Sequence, residues 1–227
     1  MKGKAPRRAT RRPAARKRRS ARGRPPAKEA AIRAERLIDV ATEVFLEHGY
    51  KGASMSEIAR RAGASKQTLY ARYPSKAALF AALVERKAAH LFEAIGPLSE
   101  DRSLRDTLLR CASELLDLIL SEDARGVHRV VIAECLEFPE LSKVFWEYGP
   151  GRTRAMLIEY FRAQQKLGNM RCENPDHAVE AFFGLLIGSA NLRTNLGLPT
   201  PIMSLAARRA WVQYVVDFFL AAMKAGE

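Results

Sequence analysis

Strand patterning is the first thing this sequence lacks. No convincing stretch of its 227 residues alternates apolar and polar side chains with a period of two, so a sheet is not expected. Long hydrophobic runs are missing too: the most apolar segment, 181–190 (AFFGLLIGSA), is about half the length a bilayer span needs. The basic N-terminus leads into no apolar stretch of the kind a secretory signal carries. Cysteine is scarce. Cys111, Cys135 and Cys172 are odd in number and widely spaced, which fits neither a disulfide framework nor a zinc site. They read as small buried apolar groups in a reducing cytoplasm. Catalytic motifs are missing: there is no Gly-rich phosphate loop, HExxH or Gly-x-Ser-x-Gly, and the four histidines stand apart. Neither enzyme activity nor a metal or other cofactor is expected.

Acidic residues are nearly missing from one end. Residues 1–30 hold 13 basic residues and a single acid, Glu29, whereas residues 31–227 hold 25 basic and 24 acidic residues. The net charge of +13 is therefore +12 on thirty residues and +1 on the rest. Such polarity suggests a polyanion grip attached to a nearly neutral globule. Residues 1–26 have almost no large apolar side chain and carry five Pro and Gly breakers between Pro6 and Pro26, so this segment is expected to be disordered on its own. Within it, Arg22, Gly23, Arg24 and Pro25 form the core of an AT-hook, where glycine lets the backbone lie in a narrow minor groove and Arg22 and Arg24 reach along it. The less specific reading is a short arm of the same composition. Arg11, Arg12 and the run 16–19 are expected to supply only nonspecific phosphate attraction.

From about residue 28 the apolar spacing is helical almost throughout, which predicts an all-α fold. A first helix is predicted over 29–47, with Leu37, Ile38, Ala41, Val44 and Phe45 on one face and Gly49 as a left-handed cap. A short helix follows from Ser54, with Ser54 and Glu57 as a capping box. A third opens at Ser65 and ends before Pro74, a fourth opens at Ser75 and ends near Gly96 and Pro97, and longer helices are predicted over about 102–121, 125–137, 140–148, 151–167, 175–195 and 203–224. Asn174 and Pro175 give a cap followed by proline at the first helical position.

Residues 54–73 read SMSEIARRAGASKQTLYARY. Ile58 and Ala59 face inward, Ala62, Gly63 and Ala64 make a tight turn, and Leu69 and Tyr70 anchor the next helix, which is the geometry that lays a helix in the major groove. With FLEHGY at 45–50 and YPSKAALF at 73–80, this region resembles the DNA-binding domain of TetR/AcrR-family transcriptional regulators. FPEL at 138–141 and Gly149-Pro150 are similar to the AefR-like subgroup. The resemblance implies a homodimer on a palindromic operator, with a larger C-terminal domain that binds an inducer and dimerises. It assigns Ser65, Lys66, Gln67 and Thr68 to the start of the recognition helix, Tyr70 to packing and phosphate, and Lys76 to phosphate. Ser54, at a helix N-terminus, can aim free amides at a phosphate. Arg72 and Tyr73 depart from the family's usual residues, and Arg72 should add a cationic contact. By residue type, Gln67 could pair with adenine and Lys66 with guanine, or either could touch phosphate only.

In the C-terminal half, the apolar stretches 178–196 and 205–220 match the two helices that pair with their copies in that family. Phe182, Gly184, Gly188, Trp211, Val215 and Phe219 are the expected interface, the glycines permitting close helix approach; the alternative is that these helices are core of a monomer. A single helix-turn-helix makes too few contacts to specify an operator, which favours the dimer. Cys111, Leu115, His128, Phe138, Trp146, Met156 and Tyr160, with Asn191 as a polar group, are candidates to line a pocket for a small apolar or aromatic inducer; His128 could instead be salt-bridged or solvated.

The division expected is a basic tail (1–28), a helix-turn-helix domain (29–74) and a regulatory and dimerisation domain (75–227). The function expected is a cytoplasmic regulator, nucleoid-associated when bound, that a small molecule releases from its operator. The alternative is an architectural protein that coats A·T-rich DNA with no inducer. Repression or activation depends on operator position, which the protein sequence does not carry. One prediction concerns the tail. Deleting residues 1–21 is expected to weaken binding to all duplexes and to flatten log K against log salt by about 0.9 for each phosphate no longer neutralised; an unchanged slope in a salt titration would exclude contact by the upstream tail.

Overall fold

The computed structural model describes residues 27–98 and 103–224. Ten α-helices make up the described residues, with one short 3₁₀ turn (Pro201–Met203) and no strand among them. In chain order they are α1 (Ala27–Gly52), α2 (Met55–Arg61), α3 (Lys66–Arg72), α4 (Lys76–Ile95), α5 (Leu104–Leu120), α6 (Glu122–Glu134), α7 (Pro139–Tyr148), α8 (Pro150–Lys166), α9 (Pro175–Asn195) and α10 (Leu205–Lys224). The all-α expectation holds. None of these helices is long and apolar enough to cross a membrane.

Most helix starts carry the caps that the sequence suggests. Ser65 accepts from the Thr68 amide at 3.0 Å and Ser75 from the Ala78 amide at 3.0 Å. Asn174 accepts from the amides of Asp176 and His177 ahead of Pro175. Each satisfies a backbone donor that the helix leaves free. The capping box at Ser54 does not form. Ser54 makes no side-chain cap bond, and the Glu57 carboxylate, the other half of the box, is on Arg61, 2.8 Å away.

Two hydrophobic cores organise the helices. The first joins α1–α4 and takes in Val127, Val131 and Leu141 from α6 and α7. Phe45, Ile58, Leu69 and Phe80 are fully buried there, each stabilising the fold by about 1.5–3 kcal/mol. The second joins the far half of α4 to α5, α8, α9 and α10 around Phe161, Phe182 and Phe219. Phe219 lies 5.7 Å from Phe161 and 5.1 Å from Phe182, ring centre to ring centre. Helix α4 spans both cores, with Leu79, Phe80, Leu83 and Val84 in one and Leu91 and Ile95 in the other. Packing is therefore continuous across residues 74–75.

Helix α1 kinks where a glycine makes the kink possible. Gly49 has φ 69° and ψ 179°, an extended region almost confined to glycine rather than the left-handed helical cap expected from sequence. The kink turns the amides of Tyr50 and Lys51 out of the helix, and the Glu134 carboxylate at the end of α6 accepts both, at 2.7 and 2.6 Å. A Cβ at position 49 would collide with that carboxylate. Gly49→Ala is accordingly expected to cost about 1–3 kcal/mol in backbone strain, on top of the disturbed Glu134 contact, and to lower Tm by several degrees in a calorimetric scan.

Candidate DNA-reading helix and ligand cavity

The helix-turn-helix is built from few residues. Ile58 and Ala59 on α2 and Leu69 on α3 are buried against α1 and α4. Gly63, at φ 68°, makes the turn. With Leu69 inside, the rest of α3 faces out: Ser65, Lys66, Gln67, Thr68, Tyr70, Ala71 and Arg72 are all exposed. The Ser65 and Thr68 hydroxyls lie 2.7 Å apart, so they fix each other and the helix start. Lys66 and Gln67 project into solvent; Tyr70, expected to anchor α3 beside Leu69, is instead 48% exposed because Leu69 alone points inward from that turn. Such a surface is convex and largely polar, and fits a major groove. Arg72 bends back, its Nε donating to the Tyr73 hydroxyl at 3.2 Å with the guanidinium 5.8 Å from that ring. Arg61 on α2 is neutralised by Glu47 at 2.6 Å and Glu57 at 2.8 Å.

Two expected phosphate contacts are placed differently. Ser54 is exposed at the N-terminus of α2, open to a partner. Lys76 is not: its ammonium donates to the carbonyls of Tyr50 (2.5 Å), Lys51 and Ala53 (both 3.2 Å). It sits 4.6 Å from the centre of the Tyr50 ring, and burial lowers its pKa. All three ammonium donors are thus used to close the end of α1, so Lys76 is a structural cap. Arg22 and Arg24 lie outside the described residues.

A cavity of about 310 Å³ opens among α4–α9, within the range of small-molecule sites. It lies on the seam of the two cores: Val84 and Val127 come from one, Leu91, Leu115 and Phe183 from the other. Of the expected pocket residues, Leu115, His128, Trp146 and Asn191 line it. The other four do not. Cys111 and Tyr160 are buried in the second core, where burial pushes the Cys111 thiol up to about 12. Met156 packs against that core. Phe138 joins the first, 5.3 Å from Tyr50 in an edge-on contact. All four are inward-facing, as their apolar character suggests, but helical spacing does not distinguish a cavity wall from solid core. His128 is half-buried and has no ion pair among the described residues. It stacks on Phe145 at 5.6 Å, and burial lowers its pKa despite a hydrogen bond with Asn195, so the ring is neutral at neutral pH.

Sequence reasoning missed the cations of this cavity. Lys87, Arg125 and Arg154 line it. Arg154 lies over Phe183 (4.2 Å) and Trp146 (5.0 Å), with its Nε on Glu180 at 2.7 Å. Lys87 pairs with Asp123 at 3.2 Å. On a helical pattern these residues look like a solvated face. Glu134 was missed for the same reason. Helix α6 carries Ala124, Arg125, Val127 and His128 on the cavity wall and Glu134 on the amides of Tyr50 and Lys51. Gly126 lets α6 lie close on α1, since a Cβ there would come 2.5 Å from Leu46 Cδ2.

The expected dimer residues divide. Phe182, Val215 and Phe219 are core residues, at 0, 1 and 1% exposure, and no partner could reach them. Trp211 is half-buried, its indole donating to the Leu186 carbonyl at 2.9 Å. Gly184 and Gly188 are exposed with open space over them. The apolar surface beside them is formed by Leu185 and Leu192 on α9 and by Tyr214 and Phe218 on α10.

Comparison with known proteins places these features in context. Residues 37–83 match the family model described as bacterial regulatory proteins, tetR family. Residues 106–225 match that of the AefR-like transcriptional repressor C-terminal domain. The HTH-type transcriptional activator FasR of Mycolicibacterium smegmatis is 32% identical over 106 residues, 47% of this chain and 48% of that one; the chain thus spans about half the length of that relative. A TetR-family regulator from Mesorhizobium loti superposes with a TM-score of 0.72 at 28% identity, covering 85% of this chain and 97% of that one. The Flavonoid-responsive Regulator FrrA gives a TM-score of 0.70 at 29% identity over the same shares.

The two basic residues at the ends of this surface should behave differently. Lys76→Met is expected to lower Tm and to leave the salt dependence of duplex binding unchanged. Arg72→Met is expected to leave Tm unchanged and to reduce that slope by about 0.9, the equivalent of one phosphate. Fluorescence anisotropy titrations at several salt concentrations, paired with thermal melts, separate the two.

Proposed function

Since the chain belongs to the TetR family of bacterial regulatory proteins, with an AefR-like C-terminal domain, and is a DNA-binding transcriptional regulator, we propose that it is a cytoplasmic repressor released from a palindromic operator by a small molecule. The observation that carries this is the path of α6. One end of that helix walls the cavity, and the other holds the root of the helix-turn-helix through Glu134. A ligand that moves α6 pulls directly on the amides of Tyr50 and Lys51, and through the kink on the α2–α3 unit. FrrA is described as flavonoid-responsive, which supports a small-molecule effector for a chain of this shape.

In this reading Lys66, Gln67 and Ser65 meet the bases or the adjoining phosphates, Ser54, Tyr70 and Arg72 the backbone, and the basic tail, through Arg22 and Arg24, the neighbouring minor groove. Two copies pair through α9 and α10, with Gly184, Gly188, Leu185, Tyr214 and Phe218 between them; burying that apolar surface is the driving force. Repression follows the description of the C-terminal domain's family, while FasR is named an activator. The sign depends on where the operator lies relative to the promoter.

Selection of bound sequences from a random duplex library, followed by footprinting, tests the proposal. We expect two half-sites one helical turn apart. Gln67→Ala is expected to weaken binding by about 1–3 kcal/mol and to relax preference at one base pair per half-site. Unbroken A·T-biased coverage, indifferent to Gln67, would support an architectural role instead.

A further inference from the structure

The cavity carries a charge pattern that an apolar inducer does not explain. Three cations line it and no carboxylate does. Two of the three are neutralised from outside the wall: Lys87 by Asp123 and Arg154 by Glu180. Arg125 is not. It has no ion pair among the described residues, and its Nε is buried with no hydrogen-bond partner. A buried guanidinium N–H without an acceptor is a standing penalty that folded proteins rarely retain. Around it the wall is apolar and aromatic, with Phe145, Trp146, Phe183 and Ile187. The His128 ring, held neutral by burial, adds no second charge.

We propose that the effector is an organic monoanion, a carboxylate on an apolar or aromatic body, and that Arg125 is the residue that reads its charge. The proposal rests on the reading of this cavity as the effector site and narrows the class of molecule it takes. The carboxylate accepts from the Arg125 guanidinium, for which a planar two-oxygen acceptor is the best geometric match. The body lies against Phe145 and Phe183, and Asn191 supplies a further polar contact. Because Arg125 sits one turn into α6, the anion is bound by the same helix that ends on Tyr50 and Lys51.

Isosteric acid and amide pairs test this on the full chain: trans-cinnamate against cinnamamide, and octanoate against octanamide, by titration calorimetry. The acid of at least one pair is expected to bind about tenfold or more tightly than its amide, the usual worth of a charge-assisted hydrogen bond. Arg125→Met is expected to bring the pair to within about twofold, and Arg125→Lys to restore part of the preference. Equal binding of acid and amide in both pairs, including no binding of either, would overturn the proposal. So would an acid preference that survives Arg125→Met in a variant whose Tm is unchanged. Operator binding measured with the same probes separates this inference from the functional reading. An acid that binds through Arg125 without loosening the operator leaves the anion site standing and refutes ligand-controlled release. An amide that releases the operator as well as its acid does the reverse.

Discussion

Five residues, 49–53, at the end of the first helix tie the helix-turn-helix to α4 and α6. The Gly49 kink exposes the amides of Tyr50 and Lys51 and the carbonyls of Tyr50, Lys51 and Ala53. Backbone groups in such a place must find partners. The Glu134 carboxylate takes the two amides and the Lys76 ammonium takes the three carbonyls, so one charge of each sign closes the segment. Hydrogen bonds to charged groups contribute about 1.5–3 kcal/mol each, more than neutral ones. The Tyr50 ring is packed at the same point by Phe45, Phe80 and Phe138, at 5.3–5.9 Å. The end of α1 that leads into α2 and α3 is therefore held by groups on α4 and α6, while Ile58, Ala59 and Leu69 anchor the short helices in the first core.

This arrangement sets the cavity beside both helices that hold the end of α1. Its walls belong to both cores, and it abuts α4 and α6, the two helices that supply Lys76 and Glu134. A cavity sunk wholly within the second core would have no such reach. The close approach of α6 to α1 at Gly126 adds a second constraint, since any displacement of α6 must be taken up by Leu46 or by α1 itself.

Charge is divided by task. The +1 over residues 31–227 reflects near-equal numbers of basic and acidic residues, 25 and 24, and many of them are paired locally. Arg61 is spent on Glu47 and Glu57, and Arg86 on Glu35 and Asp39 at 3.0 and 2.8 Å. Arg105 meets Asp217 at 2.7 Å, tying α5 to α10. What α3 exposes is shape, hydrogen-bonding groups and a few cations, and in the proposed reading bulk attraction for phosphate is left to the tail.

The sequence by itself determined the helices and their order. Apolar spacing, Ser and Asn caps and the glycine and proline stops are local signals, and a chain with no competing period-two pattern has no other way to bury its apolar side chains. The helix-turn-helix surface was legible for the same reason: with Leu69 as the buried anchor, the outward positions of a seven-residue helix follow from its pitch. Only the tertiary structure decided which apolar face of α9 and α10 is core and which is free, because both faces are apolar and Phe182 and Leu185 differ only in what packs over them. It also decided that Lys76 caps a helix, that Glu134 ties α6 to the end of α1 and that Arg125 lines a cavity. A charged residue on a helix looks solvated in any one-dimensional pattern. Its partner, or its lack of one, comes from residues as many as 112 positions away in the chain, and that distance is closed only by folding.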